Sequence, residues 1–595
     1  MLRKYYISAI HIPIVYNKFG DVDPNGLMYV LAENEDTVKK LVCNNHDTFE
    51  NLVQPLVIRA NLGDVVEIKF TNKLCFPASI NVKALSYDVM TSDGAIAGDN
   101  ENTVAKPNES ITYRWYADIE GAFHFGDLGN SLSSEVGSNI HGLFGAIVVE
   151  APGSTWTDPQ TGYELKSGVF ADIHNPYMPH FREYVTIFHD EAPVKDKFGN
   201  PPRDPMTNAI EMTHSINYRA EPMRNRMRLI MEGKACSDCV GEEVHHDSWA
   251  FGDPPDTIIP RAYVGDPVRW HAIHGGVKET HMFHLHLHQW LHERQDLDSE
   301  QNDSRGLSPQ QTITFDILYG AGSLQKAYGD VIYHCHLYPH FGEGMWGIFR
   351  IHDVLEDGTR KYPDGTPITK LMPLPDREAP PKPTKDKPGF PFFIPGTVGK
   401  RSPVPPIGWK RDFPMTKLEK NALAPNYKEG ALFVNSCPPN AKIRRIDIVA
   451  IQMPLIYNTA GWHDPQGRLY VLAEDEKDVL SGKKKPEPLF IRANAGECIE
   501  IHFTNKLPNE IGGNAFQELT ETIFASTHVH FVKFDVLSSD GANTGWNYLT
   551  GARKDQTVVF RWYADVQLKV TFFHDHLFAN IHQLHGLYGG IMIEA

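Results

Sequence analysis

LVIRANLGDVVEIKFTNKL, residues 56–74, returns almost unchanged as LFIRANAGECIEIHFTNKL at 489–507. In both copies apolar residues alternate with polar ones (V-x-I-x-F at 66–70, I-x-I-x-F at 499–503) after a glycine turn. That period of two is the signature of a half-buried β-strand. The similarity extends outward on both sides. AIHIPIVYNKFGDVDPNGLMYVLAEN (9–34) matches AIQMPLIYNTAGWHDPQGRLYVLAED (450–475). YDVMTSDG (87–94) matches FDVLSSDG (534–541), RWYAD occurs at 114–118 and 561–565, and HGLFGAIVVEA (141–151) matches HGLYGGIMIEA (585–595). The chain therefore carries one domain type twice. A region of different character lies between, with strand-like runs such as REYVTIFHD (182–190) and DVIYHCH (330–336). Short strands, frequent turn signals and no sustained helical period predict an all-β chain of three Greek-key β-sandwich domains, the first and third an internal duplication. The expected domains are 1–151, 152–355 and 443–595. Residues 356–442 form a Pro-rich linker, its stretch 376–409 expected to run extended along a surface.

The 595 residues carry a net charge of −17 with pI about 5.9. Such a surface repels nucleic acid and anionic membranes and concentrates cations. No run of apolar residues approaches the ~18 needed to span a membrane. The N-terminal MLRKYYISAIHIPIV has basic residues before an apolar run, yet it recurs inside the chain as a folded segment. No Sec-type leader is therefore visible, and the chain is expected to be cytoplasmic as synthesised, which is compatible with association with a spore or cell surface. Seven cysteines do not describe a disulfide framework. Cys43, Cys75, Cys437 and Cys498 read as small buried apolar groups. Cys236 and Cys239, close to His245 and His246, read as a local disulfide or plain loop ahead of a zinc site.

Histidine carries the chemistry. HMFHLHLH (281–288) places His284 and His286 on one face of a strand and His281 on the other. HCHLYPHFGEGM (334–345) does the same, with His334 and His336 on one face and Cys335 on the opposite one. Cys335 can then join His281, His340 and Met345 around one metal: two imidazoles, a thiolate and a weak thioether, the donors of a blue-copper electron-transfer centre. Methionine at the weak position argues against the most oxidising centres of this kind. The last domain adds His528 and His530 in THVHF, and His574 and His576 in FFHDH. With His284, His286, His334 and His336 they make eight imidazoles, the number that two triply ligated coppers and one doubly ligated copper require. A lone His-x-His pair on a strand is usually a surface feature; four pairs beside a spaced Cys/His/Met set are not. His271, His274, His288, His292, His582 and His585 read as packing or supporting residues.

These segments resemble the multicopper oxidases (laccases, ascorbate oxidase, ferroxidases), whose HPFHLHGH, HCH-x3-H-x4-M, HWH and HSH motifs correspond to the four stretches above. The resemblance implies cupredoxin-like domains and four copper ions. Type 1 copper would be held by His281, Cys335, His340 and Met345, and type 2 by His284 and His528. The type 3 pair would be held by His286, His334, His336, His530, His574 and His576. It further implies that Cys335, His334 and His336 carry electrons and that Asp540 supplies protons. A second acid of the family, three residues after the cysteine, is replaced by Tyr338; Glu343 is a candidate substitute. In the first domain the repeat places Asn81 and Lys83 at His528 and His530, and Phe125 and Asp127 at His574 and His576. Ammonium has no lone pair for a metal, so this domain is expected to be copper-free and to complete a pseudo-threefold ring.

The expected activity couples one-electron oxidation of a reduced donor near His281 or His340 to four-electron reduction of dioxygen to water. The donor would be a cation such as Mn²⁺ or Fe²⁺, in keeping with the negative charge and a similarity to bacterial manganese-oxidising members of the family, or alternatively a phenol. A non-catalytic copper-binding or coat protein is the rival reading. A copper nitrite reductase is a further one, although it needs neither the second histidine of HCH nor the HDH pair. Dioxygen and the donor are the partners expected, with no nucleic acid and no membrane span; a homo-oligomer is compatible with the sequence.

Overall fold

The computed structural model describes residues 1–43, 52–130, 137–239, 246–405, 434–509 and 524–595. His245 and residues 406–433 of the expected linker lie outside them, as does the side chain of Cys43. No helix among the described residues is long and apolar enough to cross a membrane.

Sheets dominate, in three facing pairs. The first pair sets a five-stranded sheet, ordered Leu27–Leu31, Leu2–His11, Val65–Asn72, Ser110–Tyr116, Ser86–Tyr87, against Leu56–Asn61, Phe144–Glu150, Gly121–Gly126, Asn81–Val82. In Val65–Asn72 the residues Val66, Ile68, Phe70 and Asn72 point inward and are buried, as the alternation predicts. Each such apolar side chain contributes about 1.5–3 kcal/mol by leaving water. The third pair repeats the order strand for strand. Arg468–Leu472, Ile443–Gln452, Cys498–Asn505, Thr557–Tyr563 and Lys533–Phe534 face Leu489–Asn494, Tyr588–Glu594, Leu568–His574 and His528–Val529. Between them, Phe181–His189, Val268–His274 and Thr312–Asp316 face Arg261–Tyr263, Trp346–His352, Gly329–Cys335, His281–Leu285 and Ser304–Leu307.

The second and third pairs share one hydrophobic core and are pinned by a buried charge network. Arg350 bonds Asp330 and Asp253, each at 2.6 Å, and Asp330 also accepts the Trp546 amide of the third pair at 2.8 Å. The proline-rich segment lies on the surface over 375–388 and then turns inward. Phe390 and Phe393 are buried with Trp249 and Trp546, and the Trp249 indole donates to the Trp546 carbonyl at 2.9 Å. Its aromatic residues outweigh its prolines, and it wedges between the two pairs.

Cys236 and Cys239 meet the reading of a local disulfide, while Cys437, Cys498 and Cys75 depart from theirs. Cys437 and Cys498 form a disulfide, as do Cys236 and Cys239, while Cys75 is exposed. The 61-residue separation of Cys437 and Cys498 left no local trace of the pairing. The threefold ring is not closed either: the outer face of the third pair, with Tyr457, Trp462 and Phe490, is exposed.

Candidate metal centre

Strand pairing builds the site. His281–Leu285 runs antiparallel to Gly329–Cys335 with Phe283 opposite Cys335 and His284 opposite His334. The pleat sends His281 and Cys335 to one side and His284 and His334 to the other. On the third pair, His528 lies opposite His574 across neighbouring strands. The interface of the two pairs closes these faces on each other.

On the first side, the short helix Tyr338–Gly342 carries His340 back to Cys335. His281 Nδ1 and His340 Nδ1 are 3.1 Å apart, and Cys335 Sγ lies 3.9 and 3.5 Å from them. Met345 is buried in the same core, and its carbonyl accepts the Cys335 amide at 3.1 Å. Burial pushes the Cys335 thiol up to about 11, and burial with neighbouring imidazoles pushes His281 far down. Two neutral imidazoles and a thiol suit a soft cation, which would deprotonate the thiol on binding.

The route in from solvent is narrower than the sequence suggested. His281 is wholly buried beneath His274, stacked on it at 4.4 Å. His340 alone reaches the surface, and its Nε2 lies 3.1 Å from Glu279 Oε2. His214 stacks on His340 at 4.1 Å and bridges Glu279 (3.0 Å) and Glu343 (2.7 Å). Sequence reasoning missed His214 and Glu279, which stand 65 residues apart with no motif around either. Glu343 is thus engaged on this side and does not replace the acid expected beside the larger cluster.

The eight remaining imidazoles meet across the interface. His286, His334 and His576 bring their Nε2 atoms within 3.1–3.4 Å of one another. The rings of His336, His530 and His574 form a triangle with every side 5.3 Å. His284 and His528 stand 5.8 Å apart between them. The rings also meet across these groups, His284 stacking on His530 at 4.3 Å and His286 on His528 at 3.7 Å.

The outer nitrogens decide what the inner ones can do. His284 Nδ1 donates to the Asp303 carbonyl (2.8 Å), His334 Nδ1 to the Cys335 carbonyl (2.9 Å), His528 Nδ1 to the Asp540 carbonyl (2.7 Å) and His574 Nδ1 to the Asp575 carbonyl (2.8 Å). His286 Nδ1 donates to Asp540 Oδ1 (2.9 Å) and His530 Nδ1 to Asp303 Oδ2 (3.0 Å). Carbonyls only accept, so the Nδ1 atoms carry the protons and the Nε2 atoms present bare lone pairs inward. Burial and crowding push His284, His286, His334, His574 and His576 well below the usual imidazole range, and His336 to about 3. Converging lone pairs without donors repel unless cations sit among them. The residues therefore fit a metal cluster, and several triads can each reach one ion.

Asp540 lies at the cluster as expected, its carboxyl pushed up by burial against the pull of His528. Asp303 was missed. Burial raises its carboxyl, but His530, Ser304 and His528 together outweigh burial and hold it below the usual range. Tyr338 packs 5.3 Å from the His336 ring, with its hydroxyl 3.4 Å from His574 Nδ1. It is a phenol where an acid was sought. His582 lies 3.1 Å from Asp575, His585 bonds Asp464 at 2.6 Å, and buried His288 donates to a carbonyl, all supporting roles; His292 is half exposed. His271 bonds Thr314 at 2.8 Å.

The first sheet pair corrects the repeat alignment. Val82 pairs with Phe125 and Asn81 with Gly126, as Val529 pairs with Phe573 and His528 with His574. Asp127 accepts the Ser79 amide at 2.7 Å as Asp575 accepts the Ser526 amide at 2.7 Å. Gly126 and Leu128, not Phe125 and Asp127, occupy the places of His574 and His576. A bulge between Leu568 and Thr571 adds the residue that shifts the frame. Neither glycine nor leucine offers a donor, so the expected loss of ligands stands on different residues.

Two strand-paired histidine sets, one beside a cysteine and one shared between sandwiches, define a β-sandwich protein with side-chain clusters that could hold metal ions. Residues 39–154 match the multicopper oxidase family model. The chain is 28% identical over 305 residues to a probable nitrite reductase–hydroxylamine oxidoreductase fusion protein of Kuenenia stuttgartiensis, covering 51% of this chain and 28% of that one. It is 33% identical over 135 residues to coagulation factor V of Bos taurus, covering 19% of this chain and 6% of that protein. The chain thus spans less than a third of the length of these relatives. Among solved structures it is similar to a blue copper oxidase from Nitrosomonas europaea (TM-score 0.36, 15% identity, covering 59% of this chain and 86% of that one). It is also similar to a multicopper oxidase from Pseudomonas thermotolerans (TM-score 0.34, 15% identity, covering 100% and 99%).

Proposed function

We propose that the protein is a four-copper oxidase that draws single electrons from a small reduced donor and reduces dioxygen to water. The observation that carries this reading is the convergence of eight imidazoles at one interface, six of them with Nδ1 committed to an oxygen acceptor and Nε2 turned inward. His281, Cys335, His340 and Met345 would hold type 1 copper, and His284 with His528 type 2. The type 3 pair would fall to His286, His334 and His576, and to His336, His530 and His574. Copper so bound supplies one-electron redox chemistry at the first centre and four-electron reduction of dioxygen at the second.

The chain's own groups do the rest. Cys335 is bonded through backbone to His334 and His336, so donors of the two centres are joined by a few covalent bonds. Asp540 and Tyr338 are the proton-bearing groups against the cluster. His340 is the edge a donor can reach, and Glu279 stands on it. A carboxylate there favours a divalent cation such as Mn²⁺ or Fe²⁺ over a phenol, in keeping with the overall charge of −17.

The test is copper loading followed by optical and magnetic spectra and oxygen uptake with Mn²⁺, Fe²⁺ and a phenol. Coupled type 3 signals with oxygen consumption are expected. Bound copper without either would make this a copper-binding protein, and nitrite consumption without oxygen uptake would make it a nitrite reductase.

A further inference from the structure

The internal duplication gives each outer sheet pair the same two lateral faces, and the structure uses only one face of each. On the first pair, Tyr16, Val57, Ile140 and Phe144 are all buried. They are covered by the second pair: Tyr218 donates to the Gly142 carbonyl at 2.6 Å and packs 5.4 Å from Phe144, in one cluster with Val185, Ile187 and Ile273. Their counterparts on the third pair, by strand register, are Tyr457, Phe490, Leu584 and Tyr588. These are 65%, 55%, 52% and 39% exposed, and Trp462 at the place of Asp21 is 73% exposed. The outer cluster under this face is the small remnant Val449, Ile451, Leu469, Val471 and Val479, without the second-pair residues that complete it in the first copy.

The opposite face shows the converse. On the third pair Val536 and Leu537 are buried against the second pair, Leu537 in the cluster of Trp249 and Tyr362. Their counterparts on the first pair, Val89 and Met90, are half exposed, and nearby Ile96 is 70% exposed. One half of the repeated contact is thus open at each end of the chain. The geometry is heterologous: the second pair meets the first through Val268–His274 and Thr312–Asp316, which hold in its sandwich the places of Val65–Asn72 and Ser110–Tyr116. A head-to-tail contact of this kind either closes into a ring or grows into a filament.

We propose that the exposed face of the third pair, around Tyr457, Trp462 and Phe490, docks on the Val89–Ile96 face of a second copy of this chain, closing a ring of sheet pairs. Large apolar side chains on one contiguous face of a sandwich are otherwise an aggregation hazard. Their counterparts buried in the same fold identify the kind of surface that covers them: the flank of another such sandwich. In this chain the second pair is already engaged on both sides, which leaves the first pair of another copy.

The test is the mass of the full chain by light scattering and native mass spectrometry over a dilution series, which needs no copper. The wild type is expected at twice the chain mass or a small closed multiple. Tyr457→Glu with Trp462→Glu, and separately Val89→Glu with Ile96→Glu, are expected to give the single-chain mass with unchanged circular dichroism and melting. Each double variant retains one intact face, so mixing the two is expected to restore a two-chain species. A single-chain wild type overturns the proposal, including the case in which another segment of the chain covers the face. A multimer whose mass neither double variant changes overturns it equally.

Discussion

Replacing Asp303 by alanine isolates what the buried acid does for the cluster. Its carboxylate accepts His530 Nδ1–H at 3.0 Å and the Phe531 amide at 3.2 Å, and Asp303 is almost wholly buried. Alanine leaves both donors without an acceptor, and each orphaned donor costs about 1–3 kcal/mol. Part of that is returned because the carboxylate no longer has to be desolvated. A net loss of about 2–3 kcal/mol in the metal-free protein is the expected result. The metal-bound protein should suffer differently. With no acceptor outside, His530 is free to carry its proton on either nitrogen and to turn. Loss of such an outer partner typically costs about 10–100-fold in metal affinity. The carbonyl of residue 303 still receives His284 Nδ1, so the neighbouring imidazole keeps its orientation. Denaturant unfolding of the copper-free protein measures the first effect, and copper content after dialysis against a graded chelator measures the second. Asp303→Asn, which retains an accepting oxygen, should fall between the two. Wild-type stability together with wild-type copper retention in the alanine variant would refute the reasoning that Asp303 fixes His530.

Cys335→Ser should abolish the intense blue absorption and lower copper content by about one ion per chain; loss of all cluster copper as well would contradict two separable centres. Glu279→Gln should raise KM for Mn²⁺ or Fe²⁺ about tenfold, equivalent to ~1.4 kcal/mol, while leaving a phenol unaffected. Equal losses on both donors would remove Glu279 from cation recognition. Cys498→Ser opens a disulfide spanning 61 residues and should cost about 4 kcal/mol on loop-entropy grounds, read as a lower denaturant midpoint. Gly545→Ala should destabilise by about 2–4 kcal/mol, because φ is +55° there and a Cβ would strike the Asp330 carboxylate. An unchanged melting curve would show that this junction can relax.

The histidine pairs were readable in the sequence because a spacing of two means a common face on any strand, whatever surrounds it. The same rule separated Cys335 from His334 and His336 before any pairing was known. The repeat was readable because Val66, Ile68 and Phe70 keep their counterparts in Ile499, Ile501 and Phe503. What escaped depends on register and long-range pairing. Asp303 lies in the polar run DLDSEQNDSRG, which looks like any turn until Ser304–Leu307 pairs beside His281–His284. The frame shift at Gly126 follows from one bulged residue in the partner copy, and a bulge leaves no compositional mark. Phe390 and Phe393 were lost among prolines because a proline-rich composition says how stiff a segment is, not what it packs against.

The Asp127–Ser79 latch has a consequence for how the protein matures. The first sandwich holds that latch, and with it the whole strand order of the third, while offering glycine and leucine in place of imidazole. Its shape is therefore held by hydrogen bonds and apolar packing without imidazole ligands at these two places. The matching latch of Asp575 on Ser526 should assemble the imidazole cage with no ion to template it. Folding then comes first and metal insertion second, into a cage already built, so the apoprotein should be purifiable intact and filled afterwards.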